Sequence, residues 1–190
     1  AGKTTLLNAI TSLVTSSAGS IRLDENVLDD LPSHLIARAG IVRTFQNLRL
    51  FPGLSVEENI EVARLAAAGH IAGRSQPDVE LLVRASGLTE LRHRRAGELD
   101  YGNARRLELA RAAAAGPRFL LLDEPTSGMG DLESEQMIHR IREIAGLVQA
   151  GVIVVDHDLN FITGICDRVY VLDQGKVIAV GTPDEVSQDP

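Results

Sequence analysis

Aromatic residues make up only 3% of this 190-residue chain, tryptophan is absent, and Cys166 is the single cysteine. One thiol excludes an internal disulfide framework and cannot by itself build a zinc site. Between Ile165 and Asp167, Cys166 reads as a partly buried helix residue rather than a reactive thiol. The sequence also lacks any apolar run near the roughly 20 residues of a membrane-crossing helix, and no signal-peptide pattern opens it. A soluble, cytoplasmic chain is expected. Basic charge is scarce: 19 Lys and Arg against 26 Asp and Glu leave a net charge of -7, which argues against a general nucleic-acid-binding surface. Lysine is scarcest, with only Lys3 and Lys176.

What is present is ordinary for one globular domain with a sizeable core: 44% hydrophobic and 24% charged residues. The stretch that organises the rest is 119–127, Phe-Leu-Leu-Leu-Asp-Glu-Pro-Thr-Ser. An apolar run without alternation is the pattern of a central parallel strand, covered by helices on both faces. Asp123 and Glu124 then stand at its carboxyl end, the edge of an open α/β sheet where ligands bind. Two adjacent carboxylates there call for a cation.

The first residues supply the other half. Gly2-Lys3-Thr4-Thr5 followed by an apolar-rich stretch reads as the second half of a phosphate-binding loop entering a helix. In such a loop, backbone N–H groups cradle phosphates, Lys3 reaches the β and γ phosphates, and the Thr4 hydroxyl ligates Mg²⁺. Mg²⁺ in such NTPases is shared between the loop hydroxyl and an acid at a neighbouring strand end, so Thr4 and Asp123 take complementary roles. Glu124 is left to polarise water. The earlier glycine and spacer residues of such a loop are expected upstream of residue 1.

Between these anchors the pattern predicts an edge strand at 20–24, a short helix opened by Pro32 and Ser33, and a strand at 41–45 ending at Gln46. The Gln46 amide oxygen there can join the Mg²⁺ shell or orient water. A helix capped by Ser55 should run to about Ala68, followed by a flexible link at 69–76 and a helix at 77–85 closed by Gly87. Nothing at 55–96 resembles strand, so this part reads as a helical insertion. The turn at 99–103 leads into an alanine-rich helix whose N-terminus, beside Gly102, is a second anion site. Its apolar Leu107 and Ala110 share a face, with the arginines placed elsewhere. A long helix at 132–150 stopped by Gly151 and a second buried strand at 152–155 follow. His157 sits just past that strand, next to the Asp123-Glu124 edge. Segments 168–173 and 176–180 flank Gln174-Gly175 as a two-residue hairpin at the sheet edge. A short helix begins at Thr182-Pro183.

Taken together, these pieces resemble the ATP-binding cassette (ABC) family of ATPases over essentially the whole chain. Gly2-Lys3-Thr4-Thr5 matches the end of the Walker A loop, Gln46 the Q-loop and Leu99 to Asn103 the signature motif. Leu120 to Asp123 matches the Walker B strand, Glu124 the catalytic acid, Ser127 to Gly130 the D-loop and His157 the switch histidine. Arg43 to Phe51, the tyrosine-bearing signature followed by Arg105 to Glu108, and Gly181-Thr182-Pro183 look like the ATP-binding subunits of branched-chain amino acid importers. Related subunits serve urea or short amides.

The resemblance implies an α/β P-loop NTPase (RecA-like) core with a mostly parallel sheet, a helical subdomain and an edge β-hairpin. It implies one domain, 1–190, lacking its N-terminal strands, with the core at 1–50 and 117–190 and the helical subdomain at 51–116. ATP and Mg²⁺ are the implied cofactors. Glu124, His157 and Gln46 would be catalytic, and Thr4, Gln46 and Asp123 would hold the metal. Gly2, Lys3, Thr4 and Thr5 would bind nucleotide in one subunit, and Asp100, Tyr101, Gly102 and Asn103 the nucleotide of its partner. The implied partners are permease subunits, a second ATPase subunit and, indirectly, a substrate-binding protein, with no nucleic acid. The location would be peripheral on the inner face of the cell membrane. Without the upstream part of the loop and the adenine-stacking aromatic, residues 1–190 alone are expected to bind ATP weakly or not at all.

Three departures stand out: the missing front of the Walker A loop, a D-loop reading Ser-Gly-Met-Gly before Asp131, and a signature with Asp100 for serine and Asn103 for glutamine. A carboxylate facing a γ-phosphate at about 4 Å would cost roughly 1 to 4 kcal/mol, depending on the dielectric. Alternatively Asp100 N-caps the signature helix, a role worth about 1 kcal/mol.

Overall fold

The computed structural model describes residues 2–45, 47–68 and 74–188. Its centre is a three-stranded parallel sheet, and the elements are best followed along the chain. Helix α1 (Lys3–Ile10) is followed by a two-residue ribbon, β1 (Arg22–Leu23) and β2 (Asn26–Val27), then α2 (Ser33–Arg38) and β3 (Ile41–Arg43). Helices α3 (Val56–Ala66), α4 (Val79–Ala85) and α5 (Tyr101–Ala113) lead to β4 (Phe119–Asp123), α6 (Asp131–Val148) and β5 (Gly151–Val155). The chain closes with α7 (Leu159–Ile165), β6 (Val169–Asp173), β7 (Lys176–Gly181) and α8 (Pro183–Ser187).

Strand β4 lies between β3 and β5, parallel to both, with Leu121 opposite Arg43 on one side and Asp123 opposite Val155 on the other. Its apolar run is buried on both faces because side chains alternate along a strand. Leu120 and Leu122 point into a cluster with α3, α4, α5 and α6, including Ile60, Leu82, Leu107 and Ile141. Leu121 points the other way, into a cluster with Leu7 of α1 and Ile36 of α2. Each leucine is almost wholly buried, a gain of about 1.5–3 kcal/mol apiece over exposure. These two layers fix α1 on one face and α5 and α6 on the other.

The local signals explain most boundaries. Ser55 and Glu58 close a reciprocal capping box on α3, Asp78 caps α4, and Thr182 with Glu185 caps α8. Between α4 and α5 only short 3₁₀ turns and one isolated bridge, Ser55 to Arg95, interrupt the helical section among the described residues. Five of the residues expected to form the link at 69–76 (69–73) lie outside the described residues, as does Gln46. Among the described residues no helix is long and apolar enough to cross a membrane.

Several expectations need correction. The strand at 152–155 is only partly buried: Val152 and Val154 pack on the larger cluster, and on the opposite face Val155 joins the cluster of Leu7 and Leu121 while Ile153 is 40% exposed. The long helix does not stop at Gly151, which starts β5; Gln149 ends it in the left-handed conformation, φ 49°. The strand expected at 20–24 is only the Arg22–Leu23 half of a tight ribbon. Cys166 follows α7 in extended backbone instead of lying within the helix, and partial burial pushes its thiol pKa up. The hairpin closes through Gln174 and Gly175, both at positive φ as a two-residue hairpin turn requires, and its strands pair with each other as a separate sheet.

Candidate functional site

Three chain segments converge at the carboxyl end of β4. Gly2 adopts φ 96°, a left-handed conformation that suits glycine, and turns the chain into α1. A side chain there would begin 3.3 Å from the Cα of Gly175 in the hairpin turn. The first turn of α1 then presents Lys3, Thr4 and the exposed Thr5, with helix N–H groups that have no partner within the helix. Thr4 Oγ1 lies 3.3 Å from Asp123 Oδ1, and Lys3 Nζ donates to the Asp156 carbonyl at 2.9 Å. Helix α1 and the ends of β4 and β5 therefore share one corner.

Asp123 is 1% exposed, and its other oxygen, Oδ2, accepts from Arg43 Nη2 at 3.0 Å. Arg43 also donates to Asn8 Oδ1 at 2.7 Å, Thr11 Oγ1 at 3.1 Å and the Thr44 carbonyl at 3.3 Å. Burial draws the Arg43 pKa below its ordinary value, and the charge of Asp123 partly restores it. Sequence reasoning missed this arginine, although a charged residue ending an apolar strand is a usable signal.

Glu124 follows with φ 48°, a left-handed conformation uncommon for a side-chain-bearing residue and one that costs of order 1–3 kcal/mol. Its N–H donates to the Val155 carbonyl at 2.7 Å, which holds the turn beside β5. The side chain is 29% exposed and approaches His157 Nδ1 at 3.9 Å. His157 is largely exposed; its N–H donates to Asp156 Oδ1 at 2.7 Å. Asp156 also accepts from the buried Thr126 hydroxyl at 2.8 Å through Oδ2. One buried aspartate thus organises Lys3, Thr126 and His157, a role that its neighbours in sequence concealed.

The signature-like residues form a separate group at the start of α5. Asp100 caps the helix, its Oδ1 accepting from the Asn103 N–H at 2.8 Å and its Oδ2 from the Asn103 side-chain amide at 2.7 Å. The backbone hydrogen bond from Asn103 holds the Asp100 pKa below the usual carboxylate range. Both unusual signature residues therefore satisfy each other. Gly102 leaves room beside Glu133, whose Oε1 lies 3.4 Å from where a side chain would begin. Tyr101 packs over Gly128, which has φ 80°; a side chain at Gly128 would start 3.4 Å from the Tyr101 ring.

The burial and pairing of two further residues are not legible in the sequence. Arg105, an arginine expected away from the apolar face of α5, and Glu108 are 4% and 6% exposed and pair at 3.1 Å. Arg105 Nη1 donates to the Phe45 carbonyl at 2.8 Å, and Glu108 accepts from the Phe45 N–H at 3.3 Å. They grip both backbone polar groups of Phe45, the residue before Gln46. Burial pushes the Glu108 pKa up, against the hydrogen bond from Phe45 and the charge of Arg105.

For a magnesium ion the donor set is suitable but sparse. Thr4 and Asp123 offer hard oxygens from two rigid elements, and among the described residues no cluster of three or more His, Cys, Asp or Glu could hold a metal alone. Mg²⁺ usually takes one or two protein oxygens and completes its shell with water and phosphate, so the residues fit a nucleotide-bound ion.

Comparison with known proteins agrees with this geometry. The family described as ABC transporter matches residues 1–127, and the chain belongs to that family. It has the fold of an ABC ATPase. The high-affinity branched-chain amino acid transport ATP-binding protein LivG of Salmonella typhimurium is 38% identical over 206 residues, covering all of this chain and 80% of LivG. The lipopolysaccharide export system ATP-binding protein LptB of Escherichia coli K12 is 35% identical over 193 residues, covering all of this chain and 78% of LptB. The ATP-binding cassette MJ1267 in its ADP conformation superposes with a TM-score of 0.82 at 25% identity, over all of this chain and 80% of that one.

Proposed function

We propose that this chain is the ATP-binding and ATP-hydrolysing part of an ABC importer for branched-chain amino acids, lying on the inner face of the membrane beneath permease subunits. It works with a second ATPase subunit and receives cargo through a substrate-binding protein. The observation that supports the reading is the approach of the Thr4 hydroxyl to Asp123 with Glu124 as the next residue. The substrate class follows the likeness to LivG, whose identity exceeds that to the exporter component LptB by a small margin.

In this reading Lys3 exchanges the Asp156 carbonyl for the β and γ phosphates of ATP, joined by the amides at the start of α1. Thr4, Asp123 and Gln46 hold Mg²⁺, which when bound offsets charge on the phosphate oxygens. Glu124 accepts a proton from water as the water oxygen attacks the γ-phosphorus and the bond to the β-phosphate oxygen breaks, leaving ADP and phosphate. His157 holds the γ-phosphate from the side of Glu124. Two subunits meet head to tail, so that the α5 end around Gly102 of each covers the nucleotide of the other. ATP binds both surfaces only when they are together and therefore favours the closed dimer; hydrolysis removes that bridge. The core, 1–50 and 117–190, carries the chemistry, and the helical section 51–116 carries the permease contact.

One observation favours a second reading, a subunit whose signature serves a slow or non-hydrolysing site. The capped Asp100 keeps its negative charge at neutral pH, near where the γ-phosphate of a partner would dock.

The substrate is tested by uptake of labelled leucine, urea and acetamide in cells with and without the gene. Loss of leucine uptake alone is the expected outcome; loss of urea or acetamide uptake with leucine uptake intact would overturn the substrate assignment.

A further inference from the structure

Arg43 touches three parts of the site at once. It ends β3, lies opposite Leu121 in the register with β4, and its side chain is 6% exposed. Nη2 holds Asp123 Oδ2, Nη1 holds Asn8 on α1 and Thr11 just past its end, and Nε holds the Thr44 carbonyl. The ring of Phe45 lies 5.1 Å from the guanidinium carbon. A planar fork engaged on several sides has little freedom, so it constrains whatever it binds.

The consequence falls on the two oxygens of Asp123. A buried carboxylate held by a single contact can rotate and exchange its oxygens. Here Oδ2 is bound to Arg43 while Oδ1 is the oxygen 3.3 Å from the Thr4 hydroxyl. The same guanidinium anchors α1 through Asn8, one turn beyond Thr4. Arg43 therefore fixes the carboxylate and the helix that carries the hydroxyl relative to one another.

We propose that Arg43 is a positioning residue for the metal: by occupying Asp123 Oδ2 and anchoring α1, it presents Oδ1 and the Thr4 hydroxyl as a preset pair of Mg²⁺ ligands. This rests on the reading of Thr4 and Asp123 as metal ligands. Groups that orient a first ligand typically change metal affinity 10–100-fold when altered.

The test titrates Mn²⁺, which reports its own binding by electron paramagnetic resonance, into the full-length protein with ADP. Arg43→Lys keeps a cation beside Asp123, so no buried charge is stranded, but a single ammonium cannot reproduce the fork. The expected result is a half-saturating Mn²⁺ concentration raised about 10–100-fold, with metal-free ADP affinity unchanged. Wild-type Mn²⁺ affinity in Arg43→Lys would overturn the proposal, since a purely structural or purely electrostatic arginine allows it. If Arg43→Lys does not fold, Asn8→Ala removes the α1 anchor and leaves the ion pair; a shift in the same direction supports the proposal and no shift overturns it. Asp123→Asn in the same titration separates the two claims. If that variant binds Mn²⁺ as well as wild type, the metal-ligand reading fails whatever Arg43 does.

Discussion

The hydroxyl of Thr4 and the carboxylate of Asp123 stand 3.3 Å apart although 119 positions separate them. Packing makes the pair: Leu7 of α1 and Leu121 of β4 share one apolar cluster, which sets the start of the helix against the end of the strand. The geometry of this corner therefore depends on apolar residues that take no part in the hydrogen bonds themselves.

Lys3 has an exchangeable partner, the Asp156 carbonyl, and is expected to matter to nucleotide far more than to folding. A hydrogen bond to a charged group contributes about 1.5–3 kcal/mol, so Lys3→Met should weaken ADP binding about 10- to 100-fold. Isothermal titration of the full-length protein measures this, with the melting temperature as the control that should hardly move.

The Arg105–Glu108 pair carries a different kind of cost. Removing one partner of a buried ion pair leaves the other charge stranded, at about 3–5 kcal/mol. Arg105→Met should lower stability by that amount in denaturant unfolding, because it also frees the Phe45 carbonyl. Substituting Arg64, whose pair with Glu61 is a third exposed on each side, should leave stability unchanged within error.

The physical reason these residues were hidden is instructive. A run such as 119–123 announces itself because both faces of a central strand must be apolar. The cap at Ser55 and the helix start at Thr182-Pro183 are equally local and equally legible, whereas the Asp78 cap on α4 emerges only in the structure. Burial of Arg43, Arg105 and Asp156 is set by partners elsewhere in the chain: Arg43 and Asp123 are 80 positions apart, Arg105 and Phe45 60, Asp156 and Lys3 153. Charged residues are mostly exposed, so a reading without the fold places them on the surface. The apolar run in β5 misleads for the converse reason: it does not say that one face is covered only at Val155 and left partly open at Ile153. The placement of Lys3, Thr4 and Asp123 at one corner is legible in the sequence, whereas the residues that hold them there are not.

Asp100 should act as a cap with an acid-sensitive contribution. Asp100→Ala removes the acceptor for the Asn103 N–H and is expected to cost about 0.5–2 kcal/mol. The folded-state pKa lies below that of the unfolded chain, near 3.9, so the stabilisation is complete above that value. It is lost as pH falls through the lowered folded value. Asp100→Asn keeps a cap but cannot titrate, so its acid-unfolding curve should fall less steeply below about pH 4.

The same residue bears on turnover. If its charge opposes the γ-phosphate of a partner subunit, Asp100→Ser should raise steady-state ATPase activity of the assembled protein while lowering stability slightly. Unchanged activity would assign Asp100 to capping alone.

The central claim, that Asp123 and Glu124 divide metal and water between them, is tested most directly by ATP turnover of full-length Glu124→Gln protein beside its ATP affinity. The amide keeps the shape but cannot accept the proton from water. Turnover should fall about 10²- to 10⁴-fold with ATP still bound. Hydrolysis at the wild-type rate would contradict the account.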